Sequence, residues 1–207
     1  MNGDTLIGDA GSNIIWGLGG HDNIDGGAGD DTLEGGAGND ILTGGAGADS
    51  LDGGTGFDTA SYAESVAGVD VDLRIGQATG GDAEGDTLAN VEAVIGSDYA
   101  DTLGGNDAAN TLSGGNGVDL LQGGLGNDTL YGSDSSTPSD GAVDTFLFSA
   151  GDGNDTVVGF EDGIDQVAFK GSLTYGHVTV DYGGGDTIQL RDAAGLIGED
   201  DFVFNYV

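Results

Sequence analysis

The chain has 207 residues, of which 45 are glycine, 1 is proline and none is cysteine. Its 37 acidic and 3 basic residues give a formal charge of −34, which disfavours nucleic acid and anionic membranes as partners and favours cations. Because basic residues are few and no disulfide can hold the fold, we expect the chain to stay unfolded until a metal ion neutralises it. No apolar run approaches the roughly twenty residues that a membrane-spanning helix needs.

The first predicted element is an array of nine-residue units over residues 1–61, with the five clearest copies at 17–61. Each unit opens on a glycine-rich turn, places Asp at the sixth position in most copies, and usually places an aliphatic residue at the eighth. The unit's last three residues, such as Thr32-Leu33-Glu34, alternate polar and apolar, which is typical of a very short strand with one inward side chain. We therefore predict a solenoid in which two units form one coil and residues eighteen apart stack at about 4.7–4.9 Å.

The sixth position supplies the candidate metal ligands. In the first array they are Asp4, Asn13, Asp22, Asp31, Asp40, Asp49 and Asp58. Stacking places them in two files, one on each side of the solenoid, where the like charges need a cation between them. Ca²⁺ takes about six to eight carboxylate and carbonyl oxygens in flexible geometry, whereas Mg²⁺ demands a near-ideal octahedron. Calcium is therefore the predicted metal, with a weaker site at Asn13, which offers an oxygen without a charge.

Residues 62–95 form a predicted β-rich spacer between two arrays. Alternating apolar residues predict a half-buried strand at 69–73 and another at 91–95, the latter with residues 91, 93 and 95 on one face. Two acids of the spacer, Asp86 and Glu92, lie near ligand-like positions. Glu92 is the stronger candidate, because it lies nine residues before the next ligand position.

A second array is predicted over residues 96–148, with a polar loop insertion at 132–143. Its candidate ligands, together with the first one beyond it, are Asp101, Asn110, Asp119, Asp128, Asp144 and Asp155. We expect Asp144 to continue the file of Asp101 and Asp119, and Asp155 to continue the other file. Pairing neighbours in each file predicts about nine calcium ions in all.

From residue 149 to 207 the predicted element is a β cap. Short β-prone runs alternate with Gly and Asp turns, and aromatic residues become more frequent. Such a cap is expected to shield the open edge of the last coil.

The units Gly26-Gly27-x-Gly29-x-Asp31-x-Leu33 resemble the nonapeptide repeats of RTX proteins. This resemblance implies an all-β fold, a parallel β-roll (a right-handed β-helix, or solenoid) in two stacked arrays, with calcium held between successive turns. It also implies export from a bacterium to the extracellular medium by a type I secretion system. The machinery would read an uncleaved C-terminal signal, which the acidic-then-hydrophobic residues Asp200–Phe204 resemble.

Catalytic motifs are absent from the sequence. His21 and His177 are isolated, and neither a zinc H-E-x-x-H motif nor a G-x-S-x-G elbow occurs. The number of carboxylates alone does not exclude a catalytic pair such as glycosidases use. A carboxylate bound to calcium, however, is held ionised and makes a poor general acid. We therefore predict a domain that is not an enzyme, with any catalytic domain upstream.

The predicted function is calcium-dependent folding outside the cell, in support of the secretion and stability of an upstream passenger. Two alternatives remain open on the sequence. One is a polysaccharide-binding accessory module similar to the repeat modules of alginate epimerases. The other is a structural segment of an adhesin or surface-layer protein.

Overall fold

The chain folds into short β-strands joined by tight turns. A computed structural model describes residues 2–133, 140–149, 151–161, 164–170, 177–181 and 187–191. Within these ranges the first ten strands are β1 (Thr5–Ile7), β2 (Ile14–Trp16), β3 (Asn23–Ala28), β4 (Thr32–Ala37), β5 (Ile41–Ala46), β6 (Ser50–Thr55), β7 (Thr59–Ser61), β8 (Asp70–Asp72), β9 (Gln77–Thr79) and β10 (Thr87–Ala89). The next ten are β11 (Ala93–Ile95), β12 (Thr102–Gly104), β13 (Thr111–Ser113), β14 (Leu120–Gln122), β15 (Thr129–Tyr131), β16 (Thr145–Ser149), β17 (Asn154–Val158), β18 (Gln166–Lys170), β19 (His177–Asp181) and β20 (Thr187–Arg191).

These strands form two mainly parallel sheets of ten strands each. The first sheet has the order β1-β3-β5-β7-β11-β13-β15-β17-β19-β20, and the second has the order β18-β16-β14-β12-β8-β9-β10-β6-β4-β2. Within the arrays consecutive strands alternate between the sheets. Paired residues there lie eighteen apart, as Ile24 and Leu42 do, except across the loop insertion, where Leu121 pairs with Phe146. The chain is therefore a parallel β-roll with two units per coil, which confirms the predicted fold class.

In the arrays the core is a double column of eighth-position side chains, one from each three-residue unit of strand. Because side chains alternate in a strand, the seventh and ninth positions face outward and only the eighth faces the opposite sheet. Ile24, Leu33, Leu42 and Leu51 are at most 1 % exposed. Burying an aliphatic side chain of this size stabilises a fold by about 1.5–3 kcal/mol. The interior is thus only two side chains wide, which leaves the turns at its margins to hold the coils together.

The spacer inserts extra strands into the second sheet alone. In the first sheet β7 pairs directly with β11, whereas in the second sheet β10, β9 and β8 lie between β6 and β12. A regular coil would place one strand there, so at the spacer the second sheet contains two more strands than the first, or about 10 Å at the usual strand spacing. β9 runs antiparallel to both of its neighbours.

The strands predicted at 69–73 and 91–95 both exist, but the face assigned to the second was wrong. Val94 is the inward residue of β11, stacked between Ala60 and Leu112. Glu92 occupies a sixth position, so the eighth position of that unit falls on residue 94 rather than on 93 or 95.

Parallel pairing continues past residue 149. β18 pairs with β16 and β19 with β17, and β20 then lies antiparallel to β19. Phe146 and Phe148 fill the core there, and the rings of Phe146 and Phe160 are 6.1 Å apart between centroids. The centre of the predicted loop, residues 134–139, and the signal-like stretch Asp200–Phe204 lie outside the described residues. In the described part of the chain, no helix is long and apolar enough to cross a lipid bilayer.

Candidate calcium centre

The sixth-position residues are joined by a ladder of hydrogen bonds along each side of the roll. In each case the main-chain N–H of one residue donates to a carboxylate oxygen of the residue one coil later. In the first array the donor and acceptor pairs are Asp4 to Asp22 (2.7 Å), Asp22 to Asp40 (2.8 Å), Asp40 to Asp58 (2.8 Å), Asn13 to Asp31 (2.7 Å) and Asp31 to Asp49 (2.7 Å). The two predicted files therefore exist, and each rung uses only one oxygen of its carboxylate.

Both candidate acids of the spacer extend these files. The N–H of Asp58 donates to Oε2 of Glu92 (2.9 Å), and the N–H of Asp49 donates to Oδ1 of Asp86 (2.8 Å). Asp86, which the ligand set omitted, is 1 % exposed. The sequence could have identified Asp86 as a sixth-position residue, because Asp86-Thr87-Leu88 repeats the Asp-x-Leu pattern of a regular unit.

The ladder resumes in the second array. Its rungs run from Val69 to Asp101 (2.7 Å), Asp101 to Asp119 (2.8 Å), Asp119 to Asp144 (3.0 Å), Asp144 to Asp165 (3.1 Å), Asn110 to Asp128 (2.8 Å) and Asp128 to Asp155 (3.0 Å). The predicted continuations to Asp144 and Asp155 are confirmed. Asp165 was missed, although the apolar Val167 follows it at the spacing of a unit. Val69, an aliphatic residue, occupies a sixth position and interrupts one file.

Most of these carboxylates are sealed from solvent. From Asp22 to Asp155, every sixth-position Asp is at most 3 % exposed, whereas Asp4 is exposed and Asn13 and Glu92 are half-buried. In seven of them the second oxygen, Oδ2, is buried and has no hydrogen-bond partner. The seven are Asp22, Asp31, Asp40, Asp49, Asp58, Asp119 and Asp128. A buried anionic oxygen without a donor is costly, so each of these atoms requires a counter-charge or a proton.

Main-chain carbonyl groups face the same spaces as the orphan oxygens. A Cβ built on Gly17 would lie 2.6 Å from Oδ2 of Asp22 and 2.6 Å from the carbonyl oxygen of Gly35. One coil further, a Cβ on Gly35 would lie 2.5 Å from Oδ2 of Asp40 and 2.7 Å from the carbonyl oxygen of Gly53. The glycine at the first position therefore leaves room for a small cation between a carboxylate and a carbonyl of the next coil.

A comparison with known families identifies this arrangement. The model of the RTX calcium-binding nonapeptide repeat matches the chain in four copies, at residues 2–33, 25–60, 95–130 and 147–162, which together cover more than half of it. The chain belongs to the RTX calcium-binding repeat family. No curated protein matches it. Repeat domains of this family are generally structural calcium-binding modules.

The donor set of the RTX roll suits calcium. Among the described residues no three His, Cys, Asp or Glu side chains converge on one point, so each ion must take most of its ligands from the main chain. Calcium accepts such mixed sets of carboxylate and carbonyl oxygens. Protein cations contribute little, since the one ion pair in the described part of the chain is the exposed pair of Arg74 and Asp72 (3.0 Å).

Burial also changes the acidity of several of the RTX carboxylates. Desolvation raises the pKa of Asp119 to about 8, and it raises the pKa values of Asp144 and Asp155 to about 7. The same cause raises the pKa values of Asp49 and Asp128 to about 6. Neighbouring carboxylates of the same file add to the shift at Asp119 and Asp49. Carboxylates with such pKa values take up protons near neutral pH when no cation lies beside them.

Proposed function

We propose that this RTX domain is a folding switch driven by calcium. The observation that carries the proposal is the set of seven buried carboxylate oxygens without partners, in a chain with only 3 basic residues. Without a cation, folding would bury these charges unpaired or require their protonation. With calcium, the same oxygens become ligands, and the free energy of binding becomes free energy of folding.

The proposed ligands are the sixth-position residues predicted from the sequence, extended by the acids that share their files. Neighbouring coils would share each ion, because the carboxylate comes from one coil and a carbonyl from the next. Binding at one level would order the turn that forms the following site, so folding should be cooperative along the roll. Extracellular calcium modules are typically tuned to about 10⁻⁴–10⁻³ M, and we expect affinities in this range.

The proposed context is type I secretion from a bacterium, in keeping with a family whose members are typically secreted. Where calcium is scarce, self-repulsion at a formal charge of −34 would keep the chain unfolded and able to pass a narrow exporter. Outside the cell, calcium would fold the roll and stabilise an upstream passenger. The signal-like C-terminal residues would be recognised by the export machinery.

A calcium titration followed by far-ultraviolet circular dichroism tests this proposal, with magnesium as the control. The expected result is a cooperative change from coil to β signal between about 10⁻⁴ and 10⁻³ M calcium, reversed by a chelator and not reproduced by magnesium. A chain that already shows the full β signal in chelator would overturn the switch.

A second candidate function is binding of an acidic polysaccharide, favoured by one surface cleft. The cleft has a volume of about 350 Å³ and lies beside β8, β12 and β14. Arg74 and Lys170, two of the three basic residues of the chain, line it with Gln122, and Nζ of Lys170 donates to Oε1 of Gln122 (3.2 Å). A carboxylated sugar could pair with the two cations, while calcium bridges it to the surrounding acids.

Affinity electrophoresis through alginate, with calcium present throughout, tests the second candidate. If the cleft binds the polymer, the wild-type chain should be retarded and the Arg74→Ala, Lys170→Ala double variant should not. The variant Gln77→Ala is a matched surface control outside the cleft. Equal mobility of wild-type and double variant would count against this function and leave the folding switch untouched.

A further inference from the structure

The turns of the roll belong to two distinct types. In the first type, here called open turns, the first position is glycine and the second and fourth positions have positive φ angles. For example, Gly27 and Gly29 have φ angles of 96° and 104°, and Gly115 and Gly117 have angles of 103° and 131°. Open turns occur in the units at 17–25, 26–34, 35–43, 44–52, 53–61, 114–122 and 123–131. The unit at 150–158 shares both positive φ angles, at Gly151 (93°) and Gly153 (123°), but it begins on Ala150 and its Asp155 is not among the seven residues with an orphan oxygen, so it is not counted as an open turn. Leu18 is the one residue other than glycine at these second positions, and its φ is 69°.

The second type, here called self-closed turns, occurs in the units at 8–16, 96–104 and 105–113. There the second position holds Asp9, Ser97 or Asn106, and neither the second nor the fourth position has a positive φ. The side-chain oxygen of the second residue accepts the main-chain N–H of the fourth. These bonds join Gly11 to Asp9 (2.9 Å), Tyr99 to Ser97 (3.1 Å) and Ala108 to Asn106 (2.8 Å).

The self-closed turns also satisfy the sixth-position side chain from within the turn. The main-chain N–H of the second residue donates to it in every case. The bonds run from Asp9 to Asn13 (2.7 Å), from Ser97 to Asp101 (2.6 Å) and from Asn106 to Asn110 (2.8 Å). Asp101 receives a further bond from Oγ of Ser97 (2.8 Å). The protein's own donors thus take the oxygen that would otherwise face a cation.

Among the ten regular units that begin on glycine, the orphan oxygens follow this division. All seven sixth-position carboxylates with an unpartnered Oδ2 belong to the seven open turns, and none belongs to a self-closed turn. Charge follows the division only in part: Asn13 and Asn110 are neutral, whereas Asp101 is an acid whose two oxygens each accept a hydrogen bond from Ser97. The polar residue at the second position therefore distinguishes the two types better than the presence of Asp at the sixth.

We propose that calcium binds at the seven open turns and not at the three self-closed turns, where a main-chain N–H replaces the ion. This inference rests on the proposed calcium function and specifies which of its sites are real. It assigns seven sites to the described residues, in place of the nine that simple pairing along the files predicts. It also divides the roll into two calcium clusters separated by the spacer and by a metal-free segment at 96–113.

The first test compares two equivalent carboxylates of one file by native mass spectrometry in calcium. Asp101 and Asp119 are adjacent in the ladder and at most 3 % exposed, and in both the Asn replacement keeps an oxygen that can accept the ladder bond. We expect Asp119→Asn to lose one calcium ion and Asp101→Asn to lose none. Loss of one ion from Asp101→Asn as well would overturn the division into turn types.

The second test builds a site. The triple variant Asn106→Gly, Ala108→Gly, Asn110→Asp gives the self-closed turn at 105–110 the residues of an open turn. We expect it to bind one more calcium ion than the wild-type protein. The single variant Asn110→Asp is the matched control and should gain none, because the N–H of Asn106 still reaches the new carboxylate. A gain from the single variant would overturn the inference.

These outcomes separate the inference from the function on which it rests. A wild-type chain that binds no calcium would overturn the proposed function, and the inference with it. A wild-type chain that binds calcium, together with variants that change the ion count regardless of turn type, would leave the function standing and overturn the inference alone. If Asp101→Asn fails to fold, the comparison of the triple variant with Asn110→Asp still tests the inference.

Discussion

The phenol of Tyr62 donates a hydrogen bond of 3.1 Å to Oδ2 of Asp86. Both side chains are at most 2 % exposed, and Asp86, a residue of the spacer, ends the file that contains Asp31 and Asp49. The Oδ2 atom is unpartnered at Asp31 and Asp49 of the same file, whereas at Asp86 it accepts a hydrogen bond from the protein. Tyr62 thus supplies a hydrogen-bond donor to the carboxylate at the end of the first array, as Ser97 does for Asp101 at the start of the second.

Removing this donor should weaken the end of the first array. In Tyr62→Phe, Asp86 keeps its burial and its ladder bond but loses the partner of Oδ2, a loss that typically costs about 1–3 kcal/mol for a buried group. Urea unfolding at saturating calcium should show a decrease of this size. Tyr99→Phe is the control, since Tyr99 is 49 % exposed and only its main chain takes part in the neighbouring turn. Equal stabilities of the two variants would contradict the capping role.

The two turn types should differ in their tolerance of alanine at the fourth position. Gly29 has a φ of 104°, and a Cβ there would lie 2.9 Å from main-chain atoms of Gly11 and Ser12. Gly11 lies in a self-closed turn without positive φ, and the nearest atom to its Cβ would be Oδ1 of Asp9, at 3.5 Å. We expect Gly29→Ala to cost about 1–2 kcal/mol or more and Gly11→Ala to change stability by less than about 1 kcal/mol. Thermal or urea unfolding in calcium measures both, and equal losses would contradict the assignment of turn types.

The period of the sequence was sufficient to predict the roll. Because the repeat places Leu33 and Leu42 at the same position of successive units, the inward column and the eighteen-residue register follow directly. Both were confirmed by the strand pairing. The order of the ligand files across the loop insertion was also predictable, since Asp144 is followed by Thr145 and Phe146 at the spacing of a regular unit.

The nine-residue period did not predict the place of Asp86 or the hydrogen bonds to Asp101, because both depend on residues that do not follow the repeat. Asp86 enters its file only because the chain reverses through the antiparallel strand β9, so its distance in sequence from Asp49 is not a multiple of nine. Asp101 has no orphan oxygen because an N–H and a hydroxyl of Ser97 donate to it. A rule that looks only for Asp at the sixth position cannot detect these two donors. The residue at the second position carries that information.

Substitutions of two sixth-position residues in the first array should affect the calcium response unequally. Asp40 is 1 % exposed, accepts the N–H of Asp22 and has an orphan Oδ2, whereas Asn13 is half-buried and lies in a self-closed turn. We expect Asp40→Ala to raise the calcium concentration at the folding midpoint by about tenfold or more, equivalent to about 1.4 kcal/mol. Asn13→Ala should shift the midpoint much less. Circular dichroism titrations compare them, and coincident midpoints would contradict the assignment of Asp40 to the calcium file.

The pH dependence of folding should reverse when calcium is removed. Burial raises the pKa values of Asp119 to about 8 and of Asp86 and Asp144 to about 7 in the folded chain, above the value of about 3.9 for an unfolded Asp. The folded state therefore binds more protons, so its stability without calcium is highest at low pH and is lost as the pH rises from about 4 through about 8. In calcium the ligands must be deprotonated, so the midpoint should move to higher calcium as the pH falls. Circular dichroism at about pH 5 and about pH 8, with calcium and with chelator, measures both trends. A chelated chain with more β signal at the higher pH would contradict the carboxylate assignment.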